Sequence, residues 1–280
     1  MQFLTEPEPA RGEALPAEAG IIRILAPNPG VMTYWGTNTY VIGGPDGSLI
    51  VDPGPDDPAH VAAILHAAGA RVAWILVTHT HQDHVGALPA LRAATNAPVA
   101  AWHAPADPAI APDRPLQQDD HVGPWRAIYT PGHASDHLCF LGPDGVLLSG
   151  DHVMGWSTTV IGPPGGNMAD YFRSLQRLLD LDARVFLPGH GPALAAPRPF
   201  VEALLEHRRH RESAIYAALE RSPASVRDLA AALYPETNGT LRRAAERNVN
   251  AHLQKMREEG RAVETALGWQ PRRASEEISK

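Results

Sequence analysis

The amino-acid sequence predicts an α/β protein in which two β-sheets stack face to face between outer helices, an αββα sandwich, followed by a small C-terminal domain. Two observations predict the sandwich. Short β-branched runs alternate with turn residues from residue 21 onward, and these runs form two successive groups, each with its own helical segments. The C-terminal domain is indicated by a change to long helical periodicity after Pro197. We place the domains at residues 1–198 and 199–280.

The first group of strands begins after a segment of different composition. Residues 1–20 are rich in Pro, Ala and Glu, which predicts a flexible leader. Asp57 and Pro58 predict a helix N-terminus and Gly69 its end, and a second helix is predicted near residues 85–94. Strands are predicted at residues 21–25, 39–42, 49–51 and 72–77, the last an apolar run suited to burial on both faces.

Further strands and a helix follow along the chain, and the residues after them predict a winged helix. Further strands are predicted at residues 98–101, 127–129, 138–141, 146–148 and 184–187, with a helix at 169–179. A long helix at 200–219 is followed by a short one that a capping box at Ser225 opens. Thr240 is expected to cap a third helix, Gly260 to end it, and residues 261–269 to form a hairpin. Three helices and a short hairpin are the layout of a winged helix.

Composition excludes several classes of protein. No apolar run approaches the roughly 20 residues of a membrane span, and no secretory signal is evident at the N-terminus. The single cysteine, Cys139, excludes an internal disulfide framework, so we expect a cytoplasmic protein. Residues 1–200 hold 10 Arg, no Lys and 19 Asp plus Glu, which gives −9 and offers no basic surface for nucleic acid.

A cluster of histidines directly follows the predicted strand at 72–77. Its sequence is Thr78-His79-Thr80-His81-Gln82-Asp83-His84. Histidines at positions i and i+2 of an extended segment point the same way, and a turn into a helix at Asp83 and His84 would aim those two groups at a second point nearby. This geometry favours two metal ions over one.

Three later segments supply what such a centre lacks. Each is a short strand that ends in a turn with a metal-ligating residue last: Thr130-Pro-Gly-His133, Ser149-Gly-Asp151 and Leu187-Pro-Gly-His190. Ligands at strand ends suit a rigid metal site because the sheet fixes them before the metal arrives.

These motifs, in this order over residues 21–192, resemble the metallo-β-lactamase superfamily. The resemblance implies a metallo-β-lactamase fold and two Zn²⁺, although Mn²⁺ or Fe²⁺ would also suit these ligands. It implies that His79, His81 and His133 hold the first metal and that Asp83, His84 and His190 hold the second. Asp151 would bridge the two alongside a hydroxide, and Asp52 would orient a ligand histidine.

The C-terminal region resembles the β-lactamase-like protein 2 type branch, which carries a winged-helix tail and includes an RNA endonuclease. The similar segments are Gly36-Thr-Asn-Thr-Tyr40, His133-Ala-Ser-Asp-His137 and residues 226–260. His137 is assigned either a catalytic role, as proton donor or phosphate contact, or a structural role beside the site. Arg242, Arg243 and Arg247 lie off the apolar stripe of the third C-terminal helix, which suits RNA binding or a homodimer contact better than DNA reading.

The predicted function is a binuclear hydrolase in which Asp83 also receives a proton from water. The presence of Asp151 disfavours β-lactam hydrolysis and agrees with phosphodiesters and thioesters. The winged tail favours single-stranded RNA as substrate, whereas the scarcity of positive charge favours a small thioester such as an acylglutathione. Two further alternatives are a mononuclear iron sulfur dioxygenase and a binding protein that acts through its winged helix.

Overall fold

Two β-sheets form the centre of the molecule in the computed structural model, which describes residues 2–272. The first sheet has its strands in chain order, with β1 to β4 antiparallel and β4 to β7 parallel. Its strands are β1 (Leu15–Glu18), β2 (Ile21–Leu25), β3 (Asn38–Ile42), β4 (Ser48–Val51), β5 (Val72–Leu76), β6 (Val99–Trp102) and β7 (Arg114–Leu116).

The second sheet has the order β13-β12-β11-β10-β9-β8, and β11 and β12 are its parallel pair. Its strands are β8 (His121–Val122), β9 (Trp125–Tyr129), β10 (Leu138–Leu141), β11 (Val146–Gly150), β12 (Val185–Pro188) and β13 (Leu194–Ala195). The helices of this part of the chain are α1 (Pro58–Ala68), α2 (Gln82–Val85), α3 (Leu88–Thr95) and α4 (Met168–Leu179).

Alternation along the strands separates the central core from the outer layers. In β3, Tyr40 and Ile42 face the second sheet, while Val41 faces α1 and α3. Phe140 and Leu148 meet them from the other sheet, whose outer face packs on α4 and the next helix. The two faces of a strand alternate in this way because successive side chains point to opposite sides of a sheet. The predicted αββα sandwich is therefore confirmed.

Three helices and a hairpin make up the C-terminal winged helix, as predicted. They are α5 (Pro197–Arg221), α6 (Val226–Leu233), α7 (Gly239–Glu258), β14 (Ala262–Thr265) and β15 (Gly268–Pro271). Helix α5 crosses the predicted boundary without a break: Leu204 packs in the core of the sandwich, whereas Ile215 packs with Val249 and Trp269 in the core of the winged helix. Residues 273–280 of the predicted domain lie outside the described residues.

The structure corrects three details of the sequence interpretation. The leader is not wholly irregular, because Leu15–Glu18 pair with β2, and the Glu6 side chain accepts from Arg23 at 3.1 Å. Helix α7 begins at Gly239 after Asn238, so Thr240 lies inside the first turn rather than at the cap. Strands β7, β8 and β13 were not predicted because two or three residues carry no periodic pattern. No helix in residues 2–272 is long and apolar enough to cross a membrane.

Glu212 on α5 holds the winged helix together at a point where three elements meet. Its buried carboxylate accepts from Lys255 on α7 at 2.9 Å and from Arg261 beside β14 at 2.5 Å, and it contacts His252 at 3.3 Å. Burial raises the pKa of Glu212, but these three partners outweigh it and hold the pKa at about 2, below the ordinary 4.5.

We expect Glu212→Gln to reduce the free energy of unfolding by about 2 kcal/mol at pH 7, because the largely buried Lys255 and the partly exposed Arg261 lose their carboxylate partner. A depressed pKa stabilises the folded state above pH 4.5, and this contribution is lost as pH falls through about 2. The difference in urea stability between the two proteins should therefore shrink from pH 5 towards pH 2. Glu202→Gln is the control, because that exposed carboxylate pairs with Arg198 only at 3.8 Å. A difference that does not depend on pH would contradict the prediction.

Candidate metal centre

The ends of the strands bring the predicted ligands to one edge of the sandwich. Residues 77–81 follow β5, and His81 precedes the short helix α2, so the predicted turn into a helix at this point is confirmed. Asp151 follows β11 and His190 follows β12, two adjacent parallel strands whose carboxyl ends lie side by side. The backbone NH of Leu138 on β10 donates to the Thr78 carbonyl oxygen at 2.7 Å, which ties the histidine segment to the second sheet.

Three imidazoles form the first group. Nδ1 of His81 lies 2.9 Å from Nε2 of His79 and 3.0 Å from Nε2 of His133. His79 is buried, whereas His81 is exposed at the mouth of the site. The three ring nitrogens thus converge on one point, as the sequence predicts.

Two imidazoles and a carboxylate form the second group. Oδ2 of Asp83 lies 3.3 Å from Nε2 of His190 and 3.9 Å from Nε2 of His84. Both histidines are fully buried, whereas the Asp83 side chain is one-third exposed. A mixed nitrogen and oxygen set of this kind suits zinc and other first-row divalent metals.

Asp151 lies between the two groups with one oxygen towards each. Its Oδ1 is 3.5 Å from Nε2 of both His84 and His190, and its Oδ2 is 3.7 Å from Nε2 of His133. This is the arrangement that a bridging carboxylate requires. All seven predicted ligands therefore meet in one place.

The polar atoms at the centre fit divalent cations. Nε2 of His84, Nε2 of His190 and Oδ1 of Asp151 are buried and have no hydrogen-bond partner within residues 2–272. Leaving such atoms unpaired costs free energy, and a cation that takes their lone pairs removes this cost. The ligand atoms of each group lie within 4.8 Å of one another, which one ion can span.

Electrostatics favour positive charge at the second group and neutral ligands at the first. Burial lowers the pKa of His79 well below its ordinary value and that of His81 to about 4, so both rings keep lone pairs for a metal at neutral pH. Burial also lowers the pKa of His84 and His190, but Asp151 and other carboxyl groups raise it by more. The pKa of His84 lies well above its ordinary value, and that of His190 is about 9. The carboxylates at the second group therefore favour a positive charge nearby.

Hydrogen bonds from behind the centre fix the ligands' ring orientations. Oδ2 of Asp52 is 2.9 Å from Nδ1 of His84, and the Thr78 NH and hydroxyl donate to the same carboxylate at 2.8 and 2.7 Å. Asp52 thus has the orienting position that the sequence predicted. His133 contacts the Val160 carbonyl oxygen through Nδ1 at 2.8 Å, which leaves Nε2 for a metal.

The position of His137 argues against its predicted catalytic role. It is fully buried, its Nδ1 is 2.9 Å from Oγ1 of Thr130, and its Nε2 accepts from the backbone NH of Asp151 at 3.2 Å. Both ring nitrogens are engaged within the protein, and His137 is not among the residues that line the cavity at the centre. It instead holds the backbone of the bridging ligand, which is the structural alternative.

Gly189, whose role the sequence interpretation did not identify, makes room for the ligands. A Cβ at this position would lie 2.6 Å from Oδ1 of Asp151 and 2.6 Å from Cε1 of His84. Such contacts are closer than any side chain tolerates, so the backbone here passes directly beside the centre. The sequence indicated this position only through the Pro188-Gly189 pair that precedes the last candidate ligand, His190. The folded chain identifies the atoms that need the space.

A cavity of about 190 Å³ opens onto the centre at His133 and Asp151. Its walls come from both domains. Val31 and Met32 lie before β3, a second set between positions 154 and 160 follows β11, and a third set between positions 234 and 248 belongs to the winged helix. Most of the lining is apolar, and it includes no lysine or arginine among the described residues. The remaining lining residues are Met154, Trp156, Ser157, Thr158, Val160, Tyr234, Thr237, Leu241, Ala244, Ala245 and Asn248.

Helix α7 therefore faces the metal centre with one side. Leu241, Ala245 and Asn248 line the cavity, while Val249 and Leu253 pack in the core of the winged helix. The third helix is the one that enters a nucleic-acid groove in helix-turn-helix proteins. Here the side of α7 that lines the cavity is turned towards the sandwich of the same chain.

Comparisons with known proteins match both domains. The model of the metallo-beta-lactamase superfamily matches residues 32–190, and that of the beta-lactamase associated winged helix domain matches residues 225–269. A beta-lactamase-like protein 2 homolog of Drosophila melanogaster is 32% identical over 265 residues, which is 87% of this chain and 89% of that protein.

Two further similarities concern an enzyme and a solved structure. An atrochrysone carboxyl ACP thioesterase of Aspergillus fumigatus is 30% identical over 211 residues, 71% of this chain and 65% of that protein. A metallo-beta-lactamase family protein from Thermus thermophilus superposes with a TM-score of 0.77 at 26% identity, covering 91% of this chain and 99% of that one. The chain belongs to the metallo-β-lactamase superfamily and is a metal-dependent hydrolase that carries the associated winged-helix domain.

Proposed function

We propose that this hydrolase cleaves thioesters whose acyl group is apolar. The observation that carries the proposal is the cavity at the metal centre, which joins His133 and Asp151 to walls of aliphatic, methionine and aromatic side chains. An acyl chain that enters this cavity gains about 0.8 kcal/mol for each CH₂ removed from water. The similarity to a thioesterase supports the same substrate class.

The residues of the centre suit a binuclear site for two Zn²⁺. Nitrogen and oxygen ligands without thiolate agree with this assignment, and Asp151, which has an oxygen towards each group, would be shared by the two ions. Such a pair, when bound, polarises a carbonyl oxygen and lowers the pKa of water to near neutrality.

The chain itself orients the groups around the reacting carbonyl. His137 and Thr159 hold the backbone of Asp151, the first at the NH and the second at the carbonyl oxygen. Asp83 has a more exposed side chain than Asp151, which supports its assignment as the group that accepts a proton from water. The apolar cavity excludes bulk water from the acyl side and so holds the substrate in one orientation.

The single-stranded RNA substrate predicted from the sequence has weaker support. Binding several phosphates requires lysine or arginine along the path of the strand. The described lining of the cavity supplies neither, and Arg247 on α7 is directed to the Gly162 carbonyl oxygen at 3.5 Å. The family likeness to a branch that includes an RNA endonuclease keeps RNA as the second substrate to assay.

The test is a substrate panel with the purified, metal-loaded protein. We expect kcat/KM for acylglutathiones and acyl-pantetheines to rise from acetyl to decanoyl and to change little with added salt. RNA oligonucleotides and lactones form the comparison arms. RNA cleavage that exceeds thioester turnover and weakens steeply with salt would replace the proposal, because such dependence reports phosphate contacts.

A substitution in the cavity wall tests whether the acyl group binds there. Leu241 is half-exposed at the mouth, so Leu241→Asp should fold normally while placing a charge where the chain would lie. We expect kcat/KM to fall roughly tenfold for decanoyl and hardly at all for acetyl thioesters, because one aliphatic contact is worth about 1.5 kcal/mol. Leu267→Asp is the control, on an exposed turn between β14 and β15. An equal effect on both acyl lengths would place the acyl group elsewhere.

A further inference from the structure

The segment Thr159–Ile161 supports two metal ligands but belongs to no helix or strand. The Val160 carbonyl oxygen contacts Nδ1 of His133 at 2.8 Å, and the Thr159 hydroxyl donates to the Asp151 carbonyl oxygen at 2.8 Å. Backbone groups outside regular structure must find partners elsewhere to stay in one place. Contacts that fix residues 159–161 therefore also fix the positions of His133 and Asp151.

The partners of this segment come from the winged helix and the long helix that leads into it. Oδ1 of Asn248 on α7 accepts from the Ile161 NH at 2.9 Å. The guanidinium of Arg208 on α5 donates to the Thr159 carbonyl oxygen and, at 3.3 Å, to the same Oδ1 of Asn248. One amide oxygen thus joins the segment to both helices.

Arg208 and Asn248, together with the residues 159–161 that they hold, form a buried cluster that we call the clamp. Arg208 is 1% and Asn248 7% exposed, and the Arg208 guanidinium lies over the Tyr171 ring at 5.4 Å. Burying a guanidinium is costly unless its donors are satisfied. Two of its nitrogens have acceptors here, the Thr159 carbonyl oxygen and Oδ1 of Asn248, while Nε has none within residues 2–272. The buried charge of Arg208 therefore depends on these two oxygens.

The second metal group has separate supports. His84 is held by Asp52, and His190 is 3.2 Å from the Gly36 carbonyl oxygen, both contacts within the sandwich. Loss of the clamp should therefore affect the two metal groups unequally.

We propose that Asn248 and Arg208 are positioning residues for the first metal group, so that the C-terminal domain completes the metal centre. The inference rests on the proposed two-metal centre and is independent of the substrate. It gives the winged helix a function within its own chain, because α7 reaches His133 through only two hydrogen-bonded steps, from Asn248 to Ile161 and from Val160 to His133.

The test titrates the metal-depleted full chain with Co²⁺ against a chromophoric chelator and requires no substrate. Asn248→Leu keeps the volume but removes the acceptor, and we expect one of the two ions to bind roughly 10- to 100-fold more weakly, the range typical for a lost partner of a ligand. The other ion should keep close to its wild-type affinity, because His137 still holds the backbone NH of the shared ligand Asp151. Asn248→Asp retains an acceptor oxygen beside Arg208 and should restore the weakened site.

Controls separate the proposal from a general loss of fold. Asn250→Leu alters the same helix, where Oδ1 of Asn250 accepts from Gln254 at 3.3 Å, and should leave both affinities unchanged. In a His133→Ala background, Asn248→Leu should have no further effect on the remaining ion, because both changes act on one site. Unchanged binding in Asn248→Leu, or equal weakening of both ions, would overturn the proposal. Failure of thioester turnover alone would not affect it.

Discussion

Asp151→Ala should lose at least about 10³-fold in kcat while retaining the fold, because it removes the carboxylate that has an oxygen towards each metal group. Charge stabilisation by a bound cation is worth several kcal/mol, and each 1.4 kcal/mol is a factor of about ten. The buried Nε2 atoms of His84 and His190 would then lose the Asp151 oxygen that lies 3.5 Å from each of them and that favours a bound cation.

The measurement is steady-state turnover of the best substrate in the panel, together with the number of metals per chain. Asp113→Ala is a matched control, because that exposed carboxylate pairs with Arg92 at 3.1 Å. Full turnover by Asp151→Ala at saturating metal would contradict the assigned bridging role.

Gly189→Ala should also reduce turnover, on the order of 10²-fold, through a single methyl group. The added Cβ would meet Oδ1 of Asp151 and Cε1 of His84 at 2.6 Å, and both belong to ligands that other contacts already fix. The ligands must therefore move, and a displacement of about 1 Å at a catalytic centre costs on the order of 10²-fold in rate.

The comparison variant is Gly165→Ala, where an added Cβ would meet nothing within 4 Å. Turnover and metal affinity should be unchanged in Gly165→Ala and sharply reduced in Gly189→Ala. Normal metal affinity in Gly189→Ala would show that the backbone has more freedom at this point than the structure indicates.

The seven candidate ligands that meet at the centre could be predicted from the sequence because their chemistry is concentrated and their positions follow strand ends. His79, His81, Asp83 and His84 lie within six residues, and the later ligands each follow a short strand. Asp52 could be predicted only through the family resemblance, since nothing local in the sequence links it to His84.

The cavity and the clamp could not be predicted because both depend on contacts between distant segments. Val31 and Leu241 are 210 positions apart and line one cavity, and Asn248 meets Ile161 across 87 positions.

The role of His137 was ambiguous in the sequence for a similar reason. Its sequence position beside the site suits either role, and only its two hydrogen bonds, to Thr130 and Asp151, favour the structural one.

The most direct test of the two-metal centre is elemental analysis of the purified full-length chain, saturated with Zn²⁺ and freed of excess ion. We expect two ions per chain in the wild-type protein, because two groups of ligand atoms each converge on one point and share Asp151. His190→Ala should reduce the number to one, since His190 belongs to the second group alone. A single ion per chain at saturation in the wild-type protein, or one tightly held iron in the protein as isolated, would contradict the account.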